Sequence, residues 1–475
     1  MNKDFEAAVR TTREAFRPQT FAVGVWHGGE EHYYTFGRVS PRTAEADADT
    51  VFPIASVSKS FIAAAAWMLA EKEKIDISAP VTRYLPDFSM YTEEMTQRLT
   101  VRDTMCHCCG LPRHDITLFT REDFTLEEMV HIIRYLQPAW PIHTKFCYQN
   151  HMFAALTLLV ERVSGMPWGD FVKKRIFDPL GMDRSYTKPL AYQDVDDNYA
   201  RPRVQKNGRN YPIKSEDPSN CGCAGSISAS VRDLLQWVKL NLRQGKSPNG
   251  DKLFSTLTAH MMQWGHTPIR PGEMTPFQFD EITNTFYGTG WFVERFRGER
   301  FVQHGGTLRG YKSFAGFLPE KDFAFAALTN ANVSISAEAI GRKLCDIRLG
   351  YTDVDWDKRF AEVISEAREN AFSQYQTIIE PPEQTPSLSG LPGRYENKAY
   401  GVFTVRERGG RLRLHVSNVK PMSIVPSKLF GWAADLPEMA MALPLRFEKA
   451  GERAVRLLVH LDKDLTEPVV FERLP

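Results

Sequence analysis

At 475 residues, with 43% apolar and 25% charged residues, the chain has material for one large domain and a smaller one, or for two or three ordinary ones, and large-scale disorder is excluded. A net charge of +1, from 59 basic and 58 acidic residues interspersed along the chain, speaks against nucleic acid or an anionic membrane as the main partner. No apolar run reaches the length of a membrane span, and the opening Met1-Asn2-Lys3-Asp4-Phe5-Glu6 lacks the apolar segment and cleavage site of a signal peptide, so a cytoplasmic protein is expected.

Apolar positions at Phe5, Ala8, Val9 and Phe16 predict an amphipathic helix over residues 3 to 16. Thr20 to Trp26 and His32 to Gly37 alternate around His27-Gly28-Gly29-Glu30, the pattern of a β-hairpin. Next, the extended Phe52-Pro53-Ile54-Ala55 runs into Ser56-Val57-Ser58-Lys59 and an Ala-rich helix. Lys59 lies one helical turn beyond Ser56 on the same face, the arrangement a serine nucleophile needs if a neighbour is to take its proton. Two other S-x-x-K matches, Ser185 to Lys188 and Ser417 to Lys420, run at once into Pro189 and Pro421 and open no helix. The plain alternative for Ser56 is the cap of a buried helix.

Thr100 reads as the cap of a short helix ending before Gly110, and Leu126 to Leu136 as a further helix. Cys106-His107-Cys108-Cys109 invites a zinc reading, but the donors are not spaced as paired knuckles. With seven cysteines, an odd number, free thiols in a reducing compartment are expected, with no metal or other cofactor. Tyr148-Gln149-Asn150 precede a helical pattern at Phe153, Leu156, Leu159, Val160 and Val163 that stops at Gly165. Asn150 as a cap and Tyr148 as a packing residue are the plain readings.

Residues 182 to 220 form a polar stretch without period, and long structured loops of this kind tend to be functional. Helix returns at Ser230 to Leu242. Period-two alternation over Tyr287 to Phe296, Arg300 to His304, Tyr311 to Leu318 and Phe323 to Thr329 predicts an antiparallel sheet, with a helix from Ile335 to Leu349 covering it. A last helix, Trp356 to Phe372, leads to the stiff segment Glu380-Pro381-Pro382-Glu383-Gln384-Thr385-Pro386. Beyond it, alternating stretches at Gly401 to Arg408, Arg411 to Val416, Leu443 to Lys449 and Ala454 to Leu461 predict a small antiparallel β-domain.

Ser56-Val57-Ser58-Lys59, Tyr148-Gln149-Asn150 and His304-Gly305-Gly306-Thr307, in that order, resemble the three motifs of the class C β-lactamase-like serine hydrolases, which include penicillin-binding-protein-like, D-aminopeptidase and esterase relatives. The flanks agree: Leu99 to Asp103 with Gly110-Leu111-Pro112-Arg113-His114-Asp115, Phe177 to Met182, and Leu318 to Asn330. Leu391-Pro392-Gly393-Arg394-Tyr395-Glu396-Asn397 and the closing Val470-Phe471-Glu472-Arg473-Leu474 are similar to a lipocalin-like barrel appended to some of these hydrolases. The resemblance implies an α+β fold with an antiparallel sheet flanked by helices and an all-helical subdomain. The expected division is a hydrolase domain at 1–375, a Pro-rich linker at 376–390 and a β-barrel at 391–475.

The same resemblance implies Ser56 as the acylated nucleophile, with Lys59 and Tyr148 sharing its proton and His304 completing the polar rim. Backbone N–H groups of Ser56 and Thr307 would form the oxyanion hole. Asn150 would hydrogen-bond the substrate amide or orient Lys59, and Gly305-Gly306 would let the substrate backbone approach the strand. Where β-lactamases carry a lysine this chain has His304, whose imidazole is mostly neutral at pH 7; Arg309 is the candidate for a replacement carboxylate clamp. The expected function is therefore hydrolysis of a small peptide, amide or ester through acyl-Ser56, with D-amino-acid substrates among the candidates. A thioesterase or peptide cyclase, a weak β-lactamase and a non-catalytic sensor are the alternatives, and assembly into a homo-oligomer is left open.

Overall fold

Alternation along two central strands sets the layers. In β1 (Thr20–His27) and β8 (Phe323–Thr329), Phe21, Val23, Val25, Phe323, Phe325 and Ala327 enter one apolar cluster, while Ala22, Trp26, Ala324, Ala326 and Leu328 enter another on the opposite face. Both faces are therefore covered, as a period of two requires when each is apolar. The computed structural model describes residues 1–39, 45–206, 208–273, 278–331, 335–417 and 419–475.

With β2 (Glu30–Gly37), β3 (Thr267–Ile269), β4 (Ile282–Tyr287), β5 (Phe292–Phe296), β6 (Glu299–Leu308) and β7 (Tyr311–Leu318), these strands form an eight-stranded antiparallel sheet in the order β2-β1-β8-β7-β6-β5-β4-β3. The stretch expected as one run from Tyr287 is divided between β4 and β5. The break follows from close packing: a Cβ at Gly288 would stand 2.4 Å from the Met262 carbonyl, and one at Gly290 2.8 Å from Ser60 Cα.

Helices α1 (Asn2–Phe16), α6 (Ser336–Leu349) and α7 (Trp356–Ile378) contribute Phe5, Val9, Ile340, Leu344, Trp356 and Phe360 to one face. Helix α7 runs six residues beyond the Phe372 end expected from the sequence. The opposite face receives α2 (Lys59–Ala70) and α5 (Val231–Leu242), joined by stacking of Phe61 on Trp237 at 4.1 Å. Short helices between residues 70 and 182, among them α3 (Val101–Thr104) and the longer α4 (Asn150–Ser164), make the helical part. Thr100 and Asp103 cap α3 reciprocally. Helix α4 is capped by Gln149, whose side chain accepts from the His151 N–H, rather than by Asn150.

The C-terminal strands β9 (Gly393–Asn397), β10 (Gly401–Arg408), β11 (Arg411–Val416), β12 (Val419–Ser427), β13 (Gly431–Leu436), β14 (Met441–Ala450), β15 (Arg453–Val459) and β16 (Val469–Arg473) form a closed barrel. Tyr395↔Arg473 and Glu396↔Glu472 close it. The barrel docks on the helical part: Tyr400 meets His114, and the Arg121 guanidinium donates to the carbonyls of Ala399 and Lys398, each at 3.1 Å. Among the described residues no helix is long and apolar enough to cross a membrane.

Candidate active site

Ser56 lies where strand hands over to helix. Val51–Pro53 is a short strand, Ala55–Ser58 a tight turn of 3₁₀ helix, and α2 starts at Lys59. Ala55 holds φ at 48°, a left-handed conformation that costs a non-glycine residue about 1 kcal/mol and persists only where the surroundings impose it. Those surroundings are visible: Ser313 of β7 donates to the Ile54 carbonyl at 2.7 Å, and Trp237 of α5 donates to Ser60 Oγ at 2.8 Å.

Lys59 is 0% exposed. Its Nζ reaches Ser56 Oγ at 3.0 Å and donates to the Ala224 carbonyl at 2.6 Å. It also stands 4.9 Å from the centre of the Tyr148 ring. The three residues, read from two separate stretches of sequence, thus meet in one cluster.

Tyr148 is held from both sides by His107. The Cys147 N–H donates to the His107 carbonyl at 2.7 Å, and the Gln149 N–H to His107 Nδ1 at 3.0 Å, while the two rings pack with centroids 4.1 Å apart. Burial, with Lys59 adding to it, holds the His107 imidazole well below its usual pKa, so it remains neutral and able to accept at Nδ1. The Tyr148 ring also carries the Arg113 guanidinium, 4.9 Å from its centre. Arg113 is paired with Asp115 through Nε at 2.7 Å, and Asp115 in turn accepts from Asn150 Nδ2 at 2.8 Å. Asn150 therefore spends its amide on Asp115 rather than on Lys59.

His304 is brought beside the cluster but is only 1% exposed. Its Nδ1 lies 2.6 Å from the Gly305 carbonyl and its Nε2 3.0 Å from the Tyr287 hydroxyl. Burial, reinforced by the nearby Lys59 charge, lowers its pKa to about 3. The network assigns the proton to Nδ1, with Nε2 accepting from Tyr287. His304 is thus a neutral group whose two nitrogens are engaged within the protein.

Gly306 is required by the fold rather than by a ligand, since a Cβ there would stand 2.2 Å from the Ile54 carbonyl and 2.3 Å from Ser313 Oγ. Gly305 has no such constraint, its nearest contact being an ordinary 3.6 Å. Strand β5 pairs with β6 only as far as Gln303. From His304 to Leu308, β6 is laddered to β7 alone among the described residues, which leaves a free strand edge beside Ser56. Thr307 is exposed on this segment and lines the same cleft as Ser56, Tyr148 and Asn150. Arg309 stands on the rim, mostly exposed, with Nη1 3.8 Å from Glu216. The cleft continues past Arg113 to Lys463 and Asp464 of the barrel.

Sequence reasoning did not single out His107, Arg113, Asp115 or Tyr287. Arg113 and Asp115 stood in a flanking match, and His107 in a cysteine group; their roles depend on loop packing that spacing alone does not encode. All seven cysteines are buried and free.

The model of the family described as Beta-lactamase matches residues 5–344. The chain belongs to the beta-lactamase family. Similar members include the unguisins hydrolase ungD' of Aspergillus campestris, 24% identical over 435 residues that cover 85% of this chain and 78% of that protein. Penicillin-binding protein 4 of Amycolatopsis lactamdurans is 25% identical over 324 residues, 66% of this chain and 81% of that one. Among solved structures, the octameric penicillin-binding protein homologue from Pyrococcus abyssi superposes with a TM-score of 0.64 at 19% identity over 99% of both chains. The D-amino acid amidase from Ochrobactrum anthropi SV3 gives 0.59 at 20% identity, covering 74% of this chain and 99% of that one. These likenesses establish the beta-lactamase-family fold, and the first extends over the barrel.

Proposed function

We propose that this beta-lactamase-family protein is a serine acyl hydrolase that cleaves peptide, amide or ester bonds through an acyl-Ser56 intermediate. The observation that carries the reading is the 3.0 Å contact between Ser56 Oγ and the buried Lys59 amine. Ser56 Oγ adds to the substrate carbonyl while its proton passes to the Lys59–Tyr148 pair; the same pair returns it to the leaving group, and water repeats the sequence to release the acid. The N–H groups of Ser56 and Thr307 receive the developing oxyanion.

The free edge of β6 supports a peptide-like substrate, because an extended chain adds to an unpaired strand through its backbone. The hydrolase and amidase relatives support the same class. His304 counts against efficient β-lactamase activity, since a buried neutral imidazole offers no cation to a substrate carboxylate. Arg113, packed on the Tyr148 ring, and Arg309, at the end of the β6 edge, are among the cations that line the cleft, and we assign them the recognition of an anionic substrate group. His304 acts on this reading as a positioning residue that fixes the start of the β6 edge. The octameric homologue supports testing for a homo-oligomer by light scattering, and the free buried thiols support a reducing compartment.

The test is covalent labelling. A fluorophosphonate, which phosphonylates serine with loss of fluoride, or a penicillin, which acylates it by ring opening, should modify each wild-type chain once, and Ser56→Ala should remain unlabelled. Lys59→Met should label at least about a hundredfold more slowly, as loss of a general base requires. Unchanged labelling of Ser56→Ala would remove the assignment.

A further inference from the structure

Away from Ser56, three potential metal donors from two separate segments converge behind the loop that carries Tyr148. Asp103 belongs to α3, Cys108 to the turn that follows it, and His143 to the loop before Tyr148. The Asp103 carboxylate is divided between two tasks. Its Oδ2 accepts from the Thr100 N–H at 2.9 Å and hydroxyl at 2.7 Å, completing the cap of α3. Its Oδ1 faces His143 Nε2 at 2.9 Å and Cys108 Sγ at 3.6 Å. All three donor atoms lie within 4.8 Å of one another.

We propose that Asp103, Cys108 and His143 form a binding site for a thiophilic divalent cation of the zinc class, which staples the Tyr148 loop to α3. The donors are one carboxylate, one thiolate and one imidazole, a set that suits zinc. Edges of about 3.3–3.8 Å are what a tetrahedral zinc with bonds of about 2.0–2.3 Å requires, so the 2.9 and 3.6 Å separations need only small side-chain adjustments. Binding releases the Cys108 thiol proton, and the two ligand anions then balance the dication. His143 is 46% exposed on its side chain whereas Asp103 is 4% exposed. The exposed side gives the ion its path of entry and leaves the fourth position to water.

The site is not the contiguous cysteine group that the sequence displays. Only Cys108 of Cys106-His107-Cys108-Cys109 joins it, and its partners come from outside that run. Backbone bonds already lace the two segments: the His143 N–H donates to the Cys108 carbonyl at 2.8 Å, and the Cys147 N–H to that of His107. His143 adopts φ of 66°, a left-handed conformation that brings its ring back over Cys108 and Asp103. A bound ion reinforces this lacing one residue away from His107, the group that clamps Tyr148.

The test is zinc binding by the full-length protein after chelator treatment, measured by competition with a chromophoric indicator and by melting temperature. Wild type should bind one equivalent and melt higher with zinc. Cys108→Ser and His143→Ala should each weaken binding roughly tenfold or more and lose the thermal shift. Cobalt should give a thiolate charge-transfer band in wild type that is missing in Cys108→Ser. His143 is half-exposed, so its variant should retain the native circular dichroism spectrum even if Cys108→Ser does not. Failure of wild type to bind zinc, or unchanged binding by folded His143→Ala, would overturn the proposal; in the latter case the ion sits elsewhere.

Discussion

At the scale of single residues, His304 shows how burial converts a recognition position into a structural one. A lysine at the same point would bury a second amine close to Lys59 in a pocket closed by Tyr287 and Phe292, whereas a neutral imidazole fits there with both nitrogens hydrogen-bonded. The depressed pKa carries a cost in acid. Between the ordinary value of 6.5 and about 3, the unfolded chain binds a proton at this position that the native chain does not. Stability from this group is therefore complete above pH 6.5 and falls as the pH drops through that window, by about 5 kcal/mol at most. His151, lowered by burial to about 4, acts in the same direction. The difference in unfolding free energy between wild type and His304→Asn should therefore narrow between about pH 7 and pH 4 in urea titrations. A difference constant with pH would mean that His304 titrates in the native state as it does in the unfolded chain.

At the scale of elements, the region around α2 is fixed by close backbone approach as much as by side chains. Gly290 has φ of 80°, and a Cβ there would stand 2.8 Å from Ser60 Cα and 3.0 Å from the Lys59 carbonyl. Gly290→Ala should lower stability by about 2 kcal/mol or more, through both strain and displacement of α2. Because α2 carries Lys59, labelling at Ser56 should slow as well. Urea unfolding and labelling rates measured together check this, and a stable variant with normal labelling would show that β4, β5 and their link yield without cost.

The same element marks where the sequence was legible. The start of α2, the hairpin, the β6 to β8 meander and α6 all follow from composition and periodicity, because each carries a continuous apolar pattern of its own. The break at Gly288–Gly290 was not visible, because the constraint lies in residues 60 and 262 rather than in the local pattern. Strand β12 was hidden by Pro421 and Pro426, which ordinarily mark edges; Pro421 falls in the irregular pairing between Leu414 and Val416 on β11, where a missing donor is tolerated. In the site, Ser56, Lys59 and Tyr148 were legible as motifs. The Arg113–Asp115–Asn150 chain and the His107 clamp were not, since both arise from loops folding against one another.

At the scale of the whole molecule, the barrel and the helical part share a buried polar contact. His114 is held neutral mainly by burial. Its Nε2 lies 2.9 Å from the Gln137 carbonyl and its Nδ1 at the Tyr400 hydroxyl, so Tyr400 donates to Nδ1. Tyr400→Phe leaves that nitrogen unpaired in the interface, at about 1–3 kcal/mol, and Arg121→Ala removes two further bonds to the barrel. Asp462, beside Lys463 and Asp464 on the link from β15 to β16, accepts from the His114 N–H, so loosening the dock moves those cleft-lining residues together. The double variant should unfold in two calorimetric transitions where wild type shows one. Its labelling by a small fluorophosphonate should be unchanged, because among the described residues the bonds that hold Ser56, Lys59 and the Tyr148 loop come from outside the barrel, while KM should rise for peptides long enough to reach Lys463. A single transition with slowed labelling would instead make the barrel an integral support of the catalytic cluster.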